Sequence, residues 1–230
     1  MIYANIVTGI FIKRPNRFIA HVIIDGREEK AHVKNTGRCR ELLIPGALVY
    51  LQEHDNPKRK TRFSLIAVQK GDLLVNIDSQ APNYVFMEAL NKGLRLPNLN
   101  SPVSLIKPEA LYGSSRFDFY VTAGGEKAYI EVKGVTLEDR GAAKFPDAPT
   151  ERGVRHICEL MDAVREGYLA YVVFVAQMKG VSHVTPNDET HREFGQALRQ
   201  AHEAGVHIIA YDCLVTPDGL ELDREIPVLL

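Results

Sequence analysis

The sequence predicts an α+β protein of two domains, a small OB-like β-barrel followed by an α/β domain with a mixed central sheet. Three observations support this prediction. Short strand patterns with glycine-containing turns fill residues 1–80, helical and strand patterns alternate over residues 81–230, and Ala81-Pro82 marks the change. We therefore expect the domain boundary at residue 80.

Five strands are predicted in the first domain, and their ranges are 18–24, 29–33, 46–53, 62–68 and 73–77. Asp25-Gly26 and Gly71-Asp72 supply turns between neighbouring strands, and a further turn is predicted over residues 35–38. The loop over residues 54–60 carries the densest basic cluster of the chain. This cluster, which we call the basic loop, consists of Lys58, Arg59, Lys60 and Arg62. It suits contacts with phosphates, although a solvated hairpin tip has the same composition.

The second domain is predicted to begin with a helix over residues 84–91, which Gly93 ends. An extended segment near 103–106, a hairpin over 116–133 and a loop over 144–150 follow. Thr150 is predicted to cap a helix that runs to about residue 166. The apolar run 168–177 predicts a buried strand, and Asn187 is predicted to cap a helix to about residue 204 before a last strand over 206–213.

The hairpin over residues 116–133 carries the residues that suggest chemistry. If Gly124-Gly125 forms its two-residue turn, Ala123 pairs with Glu126 and Asp118 lies opposite Glu131. Side chains alternate along a strand, so Asp118 and Glu131 are predicted on one face, with Arg116 and Lys133. The other face is predicted to carry only apolar side chains, namely Phe117, Phe119, Val121, Ala128, Ile130 and Val132.

Two opposed carboxylates, with Cβ atoms about 5 Å apart, repel each other, so a positive group is expected between them. A hard divalent cation such as Mg²⁺ or Mn²⁺ prefers oxygen ligands of this kind. Lys133, two residues beyond Glu131, completes an arrangement suited to phosphodiester hydrolysis. The alternative from spacing alone is an edge hairpin whose polar face is solvated and salt-bridged.

Composition favours an ordinary globular protein, with 45% hydrophobic and 25% charged residues in a chain of 230. We expect no membrane span, because no apolar run reaches about 18 residues, and the N-terminal segment does not resemble a signal peptide. The three cysteines show neither zinc spacing nor a disulfide framework, which favours the cytoplasm. Residues 1–80 hold 13 Lys and Arg against 8 Asp and Glu, and such a balance suits a polyanion-binding module.

Five segments, in chain order and across most of the chain, add a resemblance to a known family. They are AHVKNTGRCRELLIPG, KRKTRFSL, EALYGSSRFDF, YIEVKGVTL and KFPDAPTERGVRHICEL. Together they resemble the sugar fermentation stimulation protein A family. The resemblance implies an N-terminal OB-like domain and a C-terminal restriction-endonuclease-like domain of the PD-(D/E)xK type, whose catalytic pattern matches Asp118, Glu131 and Lys133. The family has been associated with DNA binding and with effects on sugar metabolism genes.

The resemblance also implies roles for individual residues. Asp118 and Glu131 would bind Mg²⁺ or Mn²⁺ together with the backbone carbonyl of Val132. Lys133 would activate the attacking water or stabilise charge on the phosphate. Glu88, on the helix before the hairpin, would reach the metal directly or through water, although an ordinary exposed helix glutamate would have the same pattern.

Nucleic-acid contacts are expected from cations of both domains, with Arg152 and His156 on one helix face because they are four residues apart. The candidates are Arg38, Arg40, Lys58, Arg59, Lys60, Arg62, Arg116, Arg152 and His156. Three functions stay open: a metal-dependent nuclease, a non-catalytic DNA-binding regulator of sugar metabolism genes, and an RNA-binding or processing factor. DNA is preferred to RNA as the expected partner because of the family's association with DNA.

Overall fold

In the computed structural model the described residues are 1–35 and 37–230, so Thr36, in the turn predicted over 35–38, lies outside the description. Six strands form the first domain, and they are β1 (Ile6–Asn16), β2 (Ile19–Ile24), β3 (Arg27–Val33), β4 (Leu48–Glu53), β5 (Phe63–Lys70) and β6 (Leu73–Asn76). Their order in the sheet is β3-β2-β1-β4-β5-β6. A parallel pairing of β3 with β5 closes β1 to β5 into a barrel, which confirms the predicted OB-like architecture.

The strand β1 is absent from the five predicted strands. Gly9 and Pro15 interrupt its apolar pattern, and its pairing with β2 shifts register on both sides of Lys13. In the barrel, however, β1 lies between β2 and β4, and Phe11 enters the apolar interior. Tertiary pairing therefore outweighs a weak local preference.

The second domain contains three helices and nine further strands in the part of the chain that the structure describes. They are α1 (Ala81–Asn91), β7 (Leu105–Tyr112), β8 (Ser115–Ala123), β9 (Glu126–Val135), β10 (Leu137–Asp139), β11 (Ala142–Phe145), α2 (Glu151–Arg165), β12 (Leu169–Ala176), β13 (His183–Pro186), α3 (Asp188–Glu203), β14 (His207–Thr216) and β15 (Gly219–Ile226). The main sheet has the order β15-β14-β12-β9-β8-β7. Its central pairings, β9 with β12 and β12 with β14, are parallel, while the outer ones are antiparallel, which confirms a mixed sheet.

Helices cover both faces of the main sheet. Phe86 of α1 packs with Ile130 on one face, whereas Ile157 of α2 and Phe194 of α3 pack with Val172 on the other. Burial on two sides explains the continuous apolar run of β12. No helix within the described residues is long and apolar enough to cross a membrane.

Several predicted boundaries need correction. The helix α1 begins at Ala81 and not at residue 84, because Pro82 is well tolerated in a first turn. Part of the loop predicted over 144–150 belongs to β11, which forms a small sheet with β10 and β13. The small sheet was not predicted, since strands of three or four residues carry too little periodicity to identify. The edge strand β15 was not predicted either, because charged residues occupy half of its eight positions.

Buried hydrogen bonds join the two domains. The Gln177 side-chain amide donates to Asn76 Oδ1 (3.0 Å) and to the carbonyl of Asp78 (2.9 Å), and the Gln177 carbonyl accepts the Asn76 N–H (2.9 Å). All three side chains are buried. Buried polar groups are costly to leave unpaired, so these contacts fix how the barrel lies against the second domain.

Candidate active site

The hairpin of β8 and β9 has the predicted register as far as its ladder extends. Ala123 pairs with Glu126 across the Gly124-Gly125 turn, and the last pair of the ladder is Phe119 with Ile130. Beyond it, the Asp118 carboxylate accepts the N–H of Val132 (2.7 Å). The other Asp118 oxygen accepts the side-chain amide of Asn83 on α1 (2.7 Å). Asp118 therefore fills the position where a backbone partner of Val132 would lie.

The predicted faces of this hairpin are partly wrong. Phe119 packs against Phe86 of α1, but Phe117 packs against Tyr129 and His156 on the α2 side. Alternation along β8 therefore breaks next to Asp118, where the carboxylate replaces the ladder. As a result Asp118 contacts α1 while Glu131 contacts α2, although the two were expected on one face.

Glu131 is 4% exposed and lies in a chain of polar contacts. Its Oε1 atom accepts a hydrogen bond from Lys133 Nζ (2.5 Å) and lies 2.7 Å from His156 Nδ1. The Arg152 Nε–H donates to His156 Nε2 (3.3 Å), so the proton of a neutral His156 is on Nδ1 and is donated to Glu131. Burial acts to raise the pKa of Glu131, but His156 and Lys133 outweigh it and hold that pKa below its ordinary value.

The second oxygen of the Glu131 carboxylate has no hydrogen-bond donor among the described residues. This atom, Oε2, is also shielded from solvent. Burial, and then the charge of Glu131, raise the pKa of Asp118 to about 6, against the hydrogen bonds from Val132 and Asn83. The site thus holds a buried and a half-buried carboxylate whose charges repel each other, and one oxygen of the buried carboxylate has no donor.

The raised pKa of Asp118, which is due first to burial and then to the charge of Glu131, has a consequence for stability that can be measured in chelator. The pKa of Asp118 is about 6 in the folded protein against 3.8 in the absence of structure, so between these values the native state binds more protons than the unfolded one. The free energy of unfolding should therefore fall as pH rises from 4 to 7, by about 3 kcal/mol from this group. Urea unfolding of the wild type and of Asp118→Asn across this range checks it. An identical pH dependence in both proteins would contradict the assignment.

The structure separates other predicted site residues from these carboxylates. Glu88 forms ion pairs with the amino group of Met1 (2.8 Å) and with Lys92 (3.2 Å), and Asn83 is the α1 residue that contacts Asp118. Arg116 is half exposed and lies 3.6 Å from Glu109.

His156 shares a helix face with Arg152, as predicted. It is only 3% exposed, however, so the expected nucleic-acid contact is corrected to a contact with Glu131. Periodicity gave the shared face, but only packing shows that this face meets the sheet. Thr150 accepts the N–H of Gly153 (3.1 Å) and caps α2 as predicted.

The basic loop is partly engaged in its own hairpin. Arg59 donates to Ser64 Oγ (2.9 Å) and to the carbonyl of Thr61 (3.3 Å). Arg62 pairs with Glu53. Lys58 and Lys60 are exposed, and among the described residues neither has an ion-pair partner.

A cleft of about 1000 Å³ lies between the barrel and the second domain, and cations dominate its walls. They are Lys13, Arg14, Arg17, Arg38, Arg40 and Lys144, against the single carboxylate of Asp147 in the described lining. Of these cations, only Arg38 and Arg40 were predicted. The others lie in β1, in the turn after it, and in β11, and the sequence does not indicate that these elements face one another.

Family models, curated relatives and a solved structure all match this chain to the same family of proteins. The family model described as "Sugar fermentation stimulation protein RE domain" matches residues 80–219, and the one described as "SfsA N-terminal OB domain" matches residues 12–77. Sugar fermentation stimulation protein homologs of Clostridium beijerinckii and Ruminiclostridium cellulolyticum are 60% and 57% identical, with all of each chain covered. The structure of Pyrococcus furiosus SfsA in complex with Ca²⁺ is similar, with a TM-score of 0.89, 31% identity, and coverage of 100% of this chain and 98% of that one.

Proposed function

The chain belongs to the sugar fermentation stimulation protein family, and from this premise we propose that it is a metal-dependent nuclease that binds DNA in preference to RNA. The observation that carries the proposal is the unpaired, buried Oε2 atom of Glu131 beside Asp118 and Lys133. Glu41 and Glu159 also have one carboxylate oxygen without a donor, but Glu131 is the one of the three whose whole side chain is buried, where an unpaired oxygen costs most.

The donor set fits Mg²⁺ or Mn²⁺. Asp118 and Glu131 offer carboxylate oxygens, and the backbone carbonyl of Val132 is the expected third ligand. The described residues contain no group of three or more His, Cys, Asp or Glu side chains that could hold a metal, so water and substrate oxygens would complete the shell, as is usual for Mg²⁺. The relative from Pyrococcus furiosus was solved with Ca²⁺, another cation that takes oxygen ligands. When bound, such a cation supplies Lewis acidity and compensates charge on a phosphate.

The protein side chains would hold and balance this site. Val132 N–H and Asn83 orient Asp118, while His156 orients Glu131 so that Oε2 stays free. The Lys133 ammonium, 2.5 Å from Glu131 Oε1, is 14% exposed and so retains access to a phosphate oxygen. There it would donate a hydrogen bond to charge that develops during hydrolysis.

Cleavage assays with four substrates test the proposal. Purified protein is incubated with single- and double-stranded DNA and RNA, in Mg²⁺, Mn²⁺ or chelator, beside Glu131→Ala. We expect cleavage only with metal, and loss of that cleavage in the variant, because the variant removes a ligand oxygen. Binding without cleavage under every condition would reject the nuclease.

A non-catalytic DNA-binding regulator is the second candidate. The observation in its favour is that Lys133 forms an ion pair with Glu131 and His156 hydrogen-bonds to it, so protein groups alone stabilise this carboxylate. Such a site is stable as a structural cluster, and the basic cleft could bind nucleic acid independently of it. The same assays separate the candidates, since the regulator binds in chelator and cleaves nothing.

A further inference from the structure

We propose that the cleft between the two domains binds a single polynucleotide strand and leads it to the carboxylates. The delivery of the strand to the carboxylates rests on the proposed function, whereas binding of the strand in the cleft does not require cleavage. This inference assigns a nucleic-acid contact to Arg17, which the sequence does not indicate, beside the predicted contacts Arg38 and Arg40.

The cations at the rim of the cleft are not neutralised. Arg17, Arg38 and Arg40 are exposed, and none has an ion-pair partner in the ranges 1–35 and 37–230. The carboxylate in the lining, Asp147, accepts the backbone N–H of Arg38 (2.9 Å). Clustered unpaired cations on a concave wall attract a polyanion and release its counterions when it binds.

Arg14 holds the rim in place. Its guanidinium donates to the carbonyls of Arg17 (2.7 Å), Asn35 (2.5 Å), Gly37 (2.9 Å) and Arg38 (3.0 Å). It therefore joins the turn that bears Arg17 to the segment that bears Arg38 and Arg40. Cations held in a fixed array lose less conformational entropy when they bind phosphates than cations on a mobile loop do.

The cleft leads to the candidate active site along two elements. Gly134, which lines it, directly follows Lys133 on β9, and Thr150, which also lines it, caps the helix that carries Arg152 and His156. A Cβ atom at Gly134 would lie 2.6 Å from both Gln177 Oε1 and Pro82 Cγ. The backbone of β9 is thus tightly packed against the domain junction at the residue that follows Lys133.

A single strand fits this route better than a duplex. Glu131 is 4% exposed, so a phosphate reaches it only through a narrow opening among the surrounding side chains. Duplex DNA has a persistence length of about 50 nm and does not bend into such an opening without cost, whereas a single strand is flexible. Phe18, beside Arg17, exposes 57% of its surface and offers a face on which an unpaired base can stack.

Fluorescence anisotropy in chelator tests the cleft without any cleavage. The probes are labelled single-stranded DNA and RNA of equal length and a blunt DNA duplex. The double variant Arg17→Gln/Arg40→Gln is compared with Lys58→Gln/Lys60→Gln in the basic loop. A control with the same charge change is Arg95→Gln/Lys127→Gln, two exposed cations outside the cleft.

We expect the cleft variant to bind single strands about tenfold more weakly at 0.15 M salt and to reduce the slope of log affinity against log salt by about 1.4, since each phosphate contact contributes about 0.7. The control should change neither quantity appreciably. The two single-stranded probes show whether DNA or RNA is preferred. An equal or larger effect in the basic loop variant, tighter binding of the duplex, or no binding at all would overturn the proposal.

Failure of the cleft and failure of the nuclease are distinguishable. Cleft-dependent binding without cleavage in Mg²⁺ or Mn²⁺ supports the cleft and rejects the nuclease. Metal-dependent cleavage that survives Arg17→Gln/Arg40→Gln with unchanged affinity supports the nuclease and rejects the cleft.

Discussion

Replacing Asp118 by alanine is expected to lower the rate of metal-dependent cleavage about a thousandfold while nucleic-acid affinity in chelator stays within about twofold. The variant removes one of two carboxylates that would hold the cation, whose electrostatic contribution is worth several kcal/mol. Nucleic-acid affinity should not change, because both oxygens of Asp118 are engaged by Asn83 and by the N–H of Val132. A carboxylate also repels phosphates, so its removal takes away no attractive contact. Single-turnover cleavage and anisotropy titrations measure the two quantities separately.

Glu88→Ala is the informative control for this experiment. Glu88 carries the same charge and lies on the same helix as Asn83, but it pairs with the Met1 amino group and Lys92. We expect cleavage by this variant to match the wild type. Equal losses of cleavage in Asp118→Ala and Glu88→Ala would show that the reaction depends on negative charge in general and not on Asp118 as a metal ligand.

His156→Ala should destabilise the protein and weaken metal binding together. The variant leaves a cavity beside Phe117 and removes a hydrogen bond to a carboxylate that is buried, which costs about 2–4 kcal/mol in the free energy of unfolding. Residues that orient a metal ligand typically contribute 10- to 100-fold in metal affinity. Urea unfolding in chelator and calorimetric titration with Mn²⁺ measure the two effects without reference to catalysis.

Two amide variants separate the role of His156 in orienting Glu131 from simple packing. The side-chain amide nitrogen of asparagine can take the place of Nδ1 and donate to Glu131. The longer glutamine places its amide group near the position of Nε2, where its oxygen can accept from Arg152. His156→Asn should therefore retain more Mn²⁺ affinity than His156→Gln. If both variants bind Mn²⁺ as weakly as His156→Ala, the imidazole fills space and does not orient the carboxylate.

The parts of the site that local sequence determines were predictable. The Gly124-Gly125 turn sets the register of the hairpin, and Asp118, Glu131 and Lys133 follow from counting along it. The position of Phe117 on the α2 side of the sheet was not predictable. It depends on where the β8–β9 ladder ends and on the Asp118 carboxylate accepting the N–H of Val132. Period-two alternation assumes a regular strand and contains no information about such an end.

Features formed between distant segments were not predictable in the same way. The bond from His156 to Glu131 joins residues 25 apart, and the cleft brings Arg17 near Lys144 only because two domains dock. The OB-like barrel was predicted without β1, since the remaining strands and turns sufficed for the class. A fold class can thus be predicted even when one strand is missed, whereas a cleft between two domains can be predicted only if the way the domains dock is known.

The buried amide of Gln177, bonded to Asn76 and Asp78, has a further consequence. It holds the arginines of the barrel at a set distance from the carboxylates of the sheet, because the bonded groups lie in the barrel and in the segment beside the main sheet. A strand held by these arginines is presented to the carboxylates after a set number of nucleotides. Products of a nuclease built in this way would share one length, measured from the point where the strand is first held.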